Sequence, residues 1–67
     1  MSTIANSIRK IRRGKGITQE KLAEKIGVTR QTIIALEKGN YIPSVLLALK
    51  ISRYFKIKTE DLFKIKR

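Results

Sequence analysis

A compact all-α domain of five short helices, with a helix-turn-helix at about residues 18–37, is the fold this sequence predicts, and three observations carry it. Apolar residues recur at intervals of three and four along most of the chain, the spacing that collects them on one side of a helix. Thr18 and Thr29 are two helix openings separated by a segment that ends in the spacer Gly27-Val28, so two helices a turn or two long are joined too tightly to lie side by side and must cross steeply. No segment offers a strand pair, and no sheet is expected.

Taken in order, Ser2 or Thr3 is the expected cap of a first helix in which Ile4, Ile8 and Ile11 form a core stripe. Arg9, Lys10, Arg12, Arg13 and Lys15 fill its other faces, and Gly14 and Gly16 both offer a stop. Thr18 caps the second helix, whose apolar positions are Leu22, Ala23 and Ile26, and Gly27 supplies its left-handed end. Val28 turns inward. In the third helix, opened by Thr29, Ile33 and Leu36 share one side while Gln31, Ala35 and Lys38 share another. The run Gly39-Asn40-Tyr41-Ile42-Pro43 is a loop, closed by Pro43, and Ser44 caps the fourth helix. From Val45 to Phe55 the inward face is expected to be Val45, Ala48, Leu49, Ser52 and Phe55, leaving Leu46, Leu47, Ile51 and Tyr54 over. Lys56-Ile57-Lys58 connects to a last brief helix that opens at Thr59, carries Glu60 and Asp61 in its first turn and contains Leu62 and Phe63. Ile65-Lys66-Arg67 has no assignment. There is no repeat, low-complexity segment or linker, so residues 1–67 form one domain.

Composition narrows the function. Sixty-seven residues bury roughly 60% of the surface their unfolded chain exposes, and the chain has neither Cys nor His, so disulfides and the usual zinc ligands are both excluded. No metal or other cofactor is expected. Sixteen Lys and Arg against five Asp and Glu give a formal net charge of +11, a self-repulsion that a polyanionic partner would relieve. Nucleic acid is the first candidate, an anionic membrane surface the second, and a merely solvated basic surface the third. Met1–Thr3 holds no export signal and the longest apolar run, Val45–Leu49, is far short of the about 18 residues of a membrane helix, so a cytoplasmic protein is expected. Glu20 and Glu24 stand one turn apart but among Lys21 and Lys25, with no His, Cys or further acid to complete a site. With no nucleophile-and-base pair and no Gly-rich phosphate loop after a strand, no enzyme is expected.

Several residues of different chemical kind recur here at fixed offsets: Thr18-Gln19 before Leu22-Ala23, then Gly27-Val28-Thr29, Gln31-Thr32-Ile33 and Glu37-Lys38-Gly39. In these the chain resembles the Cro and lambda-repressor type of helix-turn-helix transcriptional regulators. Residues from about Ile8 to Phe63 fit that family's five-helix pattern, including Pro43-Ser44 and Thr59-Glu60-Asp61-Leu62-Phe63. The resemblance implies a lambda-repressor-like fold in which the first helix runs to Gly16, the third helix is the recognition helix, and Gln19 anchors the DNA backbone. It also implies an ion pair between Arg12 and Glu37 that joins the first helix to the third.

On that footing the expected DNA-binding residues are Gln19, Thr29, Arg30, Gln31, Thr32, Ile34, Ala35, Lys38, Asn40 and Tyr41. Gln reads adenine N6 and N7, and Arg reads guanine O6 and N7. Gln19, at the amino end of the second helix, suits a phosphate. Ile34 and Ala35 either pack on the helix beneath or touch thymine methyl groups, and Thr29 and Thr32 either cap only or also meet phosphates. The expected partner is double-stranded DNA with two half-sites, bound by a homodimer acting as a repressor by occupancy, since the chain has no room for a separate effector domain. Leu47, Ile51, Tyr54, Phe63 and Ile65 are the candidate dimer interface because this part of the chain holds more apolar residues than one small core absorbs; the alternative is that they complete that core. The competing function is an antitoxin that neutralises a toxin protein and binds its own operator second.

Overall fold

Asn6 sets the start of the helical body. Its Oδ1 accepts the Ile8 amide at 3.1 Å and its Nδ2 donates to the Leu36 carbonyl at 2.9 Å, so the side chain takes over backbone duties at the edge of a helix and fixes it to another. The computed structural model describes residues 3–66, and in it the order of elements is β1 (Thr3–Asn6), α1 (Ile8–Gly14), α2 (Gln19–Ile26), α3 (Arg30–Lys38), α4 (Val45–Phe55), α5 (Thr59–Leu62) and β2 (Phe63–Lys66).

The five helices form the lambda-repressor-like body the sequence predicts. Thr18, Thr29 and Ser44 each cap as expected, accepting the amides of Lys21 at 3.0 Å, Thr32 at 3.2 Å and Leu47 at 3.1 Å. Gly27 and Gly39 end α2 and α3 at φ +86° and +79°, a left-handed conformation that a side chain resists. The two offered stops of α1 divide the work: the helix ends at Gly14, and Gly16 takes the left-handed conformation at φ +69°.

Three expectations are corrected. Thr3–Asn6 is a strand, not the first turn of α1, which begins at Ile8, so Ile4 is no part of a helical stripe; the proposed Ser2 cap lies outside the described residues. A small antiparallel sheet therefore exists, with Ile4 opposite Ile65 and Asn6 opposite Phe63, and it takes in Phe63, expected at the end of the last helix, and the unassigned Ile65 and Lys66. The third correction is the rotation of α4. Leu47, Ile51, Ser52 and Phe55 face inward, whereas Val45 and Leu49 are 76% and 49% exposed. The 47-51-55 ridge fills the space between α2 and α5, and the buried Ser52 hydroxyl is satisfied within its own helix by the Ala48 carbonyl at 2.8 Å.

The core joins Ile8 of α1, Leu22, Ala23 and Ile26 of α2, Ile33 and Leu36 of α3, the α4 ridge and Leu62 of α5. Leu47 and Ile51 are thus core residues, which removes them from any contact with a second copy: they complete the core instead. Among the described residues no helix is long and apolar enough to cross a membrane, and no cluster of acidic side chains could hold a metal ion.

Candidate nucleic-acid interface

The packing of α2 against α3 brings the amino end of α2, the side of α3 and the adjacent face of α1 round one shallow basin. Arg9, Arg12, Arg13, Gln19, Arg30, Ile34 and Lys38 line it, together with Thr18, Glu20 and Glu37. On α3 the stripe Arg30, Ile34, Lys38 rises at intervals of four, so these three share the wall of the basin.

Beneath the basin lies a closed polar network. Arg12 Nε donates to Glu37 Oε2 at 2.6 Å, Arg12 Nη2 to Glu37 Oε1 at 3.2 Å, and Arg12 Nη1 to the Ile17 carbonyl at 2.7 Å. Gln19 Nε2 adds a bond to Glu37 Oε1 at 3.1 Å. Burial alone would raise the pKa of the Glu37 carboxyl, but the hydrogen bonds from Arg12 and Gln19 and the charges of Arg12 and Arg9 outweigh it and hold the group below its ordinary value. Glu37 is therefore a carboxylate whose charge is already answered, and the basin above it keeps a positive field.

Gln19 is held by that network with one amide hydrogen, leaving its other hydrogen and its carbonyl oxygen for a partner. It stands in the first turn of α2, where Thr18 Oγ1 takes only the Lys21 amide and the backbone N–H groups just before it stay free for an anion.

The other expected site residues divide by position. Gln31 is exposed on α3 and Ala35 is half-buried, one turn apart on a stripe beside the basin and outside its lining. Ile34 is half-buried too, and lines the basin rather than the core. The Thr29 and Thr32 hydroxyls lie 3.1 Å apart at the amino end of α3, with Thr29 also serving as the cap. Asn40 and Tyr41 are exposed in the loop beyond α3, away from the basin lining. Arg9 and Arg13 were not expected in the site. The signal was present: Arg9, Arg12 and Arg13 stand at intervals of three and four and so share one side of α1.

The sequence pattern of the helix-turn-helix family matches residues 8–62 of the chain. An uncharacterised HTH-type transcriptional regulator of Bacillus subtilis, YgzD, is 55% identical over 58 residues, which cover 87% of this chain and 88% of that protein. An uncharacterised regulator of the same description from Methanocaldococcus jannaschii is 53% identical over 58 residues, with the same shares of both chains. Among solved structures, the restriction-modification controller protein C.AhdI of Aeromonas hydrophila superposes with a TM-score of 0.74 at 30% identity, covering 81% of this chain and 82% of that one.

Proposed function

The chain belongs to the helix-turn-helix family of DNA-binding transcriptional regulators, and we propose that it is a sequence-specific repressor that sets α3 into the major groove of its operator. The observation that carries this reading is the basin. It gathers the free amino end of α2, Gln19 and the arginines of α1 with the exposed Arg30, an arrangement that suits a phosphate strand, while the exposed Gln31 on the neighbouring stripe of α3 suits a base edge. Repression is by occupancy, with two copies on half-sites about 34 Å apart. Of the residues expected between copies, Ile65 is 72% exposed while Tyr54 and Phe63 are half-buried against the core, so the contact is small and DNA brings the copies together.

The test begins with selection of bound fragments from random duplexes, followed by titration on the selected site and on a scrambled duplex at two salt concentrations. Gln19→Ala weakens both by a similar factor, because a phosphate contact is blind to sequence. Gln31→Ala costs about 1 to 3 kcal/mol on the selected site only. Equal losses on both duplexes for Gln31→Ala would overturn base reading by α3.

A second reading, an antitoxin with a protein partner, is favoured by one observation: Val45, Leu46 and Leu49 are exposed on α4, outside the DNA basin. Co-purification of a second small protein with the natively expressed chain distinguishes the two.

A further inference from the structure

We propose that the groove between α4 and α5 is the seat of an acidic amphipathic helix belonging to a second protein. The groove opens on the side of the molecule that the core leaves unused, with Leu46, Leu49 and the half-buried Ile57 among its lining. On α4 itself Val45, Leu46 and Leu49 are 76%, 65% and 49% exposed, and Ile42, in the loop that leads into the helix, is 65% exposed. Single exposed apolar residues are ordinary on a small domain, but four gathered at the amino end of α4, two of them lining the groove, mark a contact surface.

Charge decides between occupants. The walls carry Lys50, Arg53, Lys56 and Lys58, and no carboxylate lines the groove. Asp61 follows on α5 but is 3.9 Å from Lys64 and belongs to the ribbon side. A second copy of a chain of net charge +11 would set these cations against their own kind. A DNA strand would answer the charge but has no apolar ridge to cover Leu46 and Leu49. A helix with apolar residues at i, i+3 or i+4 and i+7, flanked by Asp and Glu, answers both at once, and a shallow apolar groove with a charged rim is how such helices are received.

The backbone gives independent support. Lys56 closes α4 at φ +58°, in the left-handed region where glycine is the unstrained choice, and its side chain stands on the groove wall. A cation is thus kept on the rim at a conformational cost.

The experiment uses the whole chain and two synthetic helical peptides with the same leucine stripe, one flanked by Glu and one by Lys, followed by amide chemical shifts. The acidic peptide is expected to move the signals of Leu46, Leu49, Lys50, Arg53 and Ile57, and the basic peptide is not. Lys50→Glu with Arg53→Glu should weaken the acidic peptide about tenfold or more and admit the basic one, through like-charge contact across the rim. Leu46→Ser with Leu49→Ser should abolish binding while the chain stays folded, since these side chains are 65% and 49% exposed and lie outside the core cluster. Three results would each overturn the proposal. The acidic peptide could move only the signals of the α1–α3 basin, acting as a phosphate mimic. The free chain could sediment as a dimer that Leu46→Ser dissolves. It could bind vesicles of phosphatidylglycerol and neither peptide.

Discussion

Arg12 and Glu37 meet from 25 positions apart with their side chains only 9% and 4% exposed and 2.6 Å between Arg12 Nε and Glu37 Oε2. A pair so placed contributes little by its attraction alone, because both charges have left water, but removing one partner leaves the other stranded. Glu37→Ala should therefore cost about 2 to 4 kcal/mol, with Arg12 keeping only the Ile17 carbonyl, whereas Glu37→Gln retains an acceptor and should cost about 1 to 2 kcal/mol. Urea unfolding measures both, and a loss below about 0.5 kcal/mol for Glu37→Ala would place the pair in the range of exposed ones.

The same carboxyl makes stability depend on pH. Its pKa is lowered in the folded chain from an ordinary 4.5, so on acidification the unfolded chain takes up this proton first. The contribution is fully present above about pH 4.5 and is lost as the pH falls through the lower, folded value. The urea midpoint of the native chain should drop over that interval more steeply than that of Glu37→Gln. Parallel curves would show that Glu37 is not the group responsible.

Arg9 and Arg13 face the basin without taking part in the network beneath it. Each, replaced by Ala, should reduce the slope of log affinity against log salt by about 0.9, one released counterion apiece, and should do so on preferred and scrambled duplexes alike. A change in base preference would instead mean that these arginines reach the groove floor.

Lys56→Gly should stabilise the chain by about 0.5 to 1 kcal/mol, since the left-handed φ of +58° no longer opposes a side chain. Thermal unfolding reads this directly. A lower midpoint would mean that the greater freedom of glycine in the unfolded chain outweighs the strain relieved.

What could be read from the sequence was what local chemistry decides. Thr18, Thr29 and Ser44 each accept the amide three residues on, and Gly27 and Gly39 turn left-handed, because these are properties of a few neighbouring residues. The face of α4 could not be read in the same way. From Val45 to Leu49 every residue is apolar, so periodicity has no contrast there, and the phase is chosen by the packing of Leu47, Ile51 and Phe55 against other helices. The strands escaped for a different reason: each has four residues, the partners stand at opposite ends of the described chain, and Ile4, Ile8 and Ile11 mimic a helical stripe. In the site, Gln19, Arg30 and Lys38 share the basin lining, while Arg9 and Arg13, which fill the polar faces of α1 among Lys10 and Lys15, carry no local mark that tells a basin-facing cation from one facing elsewhere.

The β1–β2 ribbon also predicts an order of events. Its rungs join Thr3 to Lys66 and Ile4 to Ile65, the most distant pairings among the described residues, so a chain that formed them first would close a very large loop for the sake of a two-stranded sheet that is marginal by itself. The helices, which contact nearer neighbours, are expected to dock earlier, and the strands to zip once Ser7, just before α1, and Leu62 of α5 lie together through the Ser7 amide and the Leu62 carbonyl at 3.0 Å. Opening reverses the sequence. The ribbon can part while the helical body stays folded, so the amides that bond across it exchange with solvent well ahead of those of Leu22, Ile33 and Ile51, and the earliest departure from the native state is an unzipping at the two ends rather than a melting of the core.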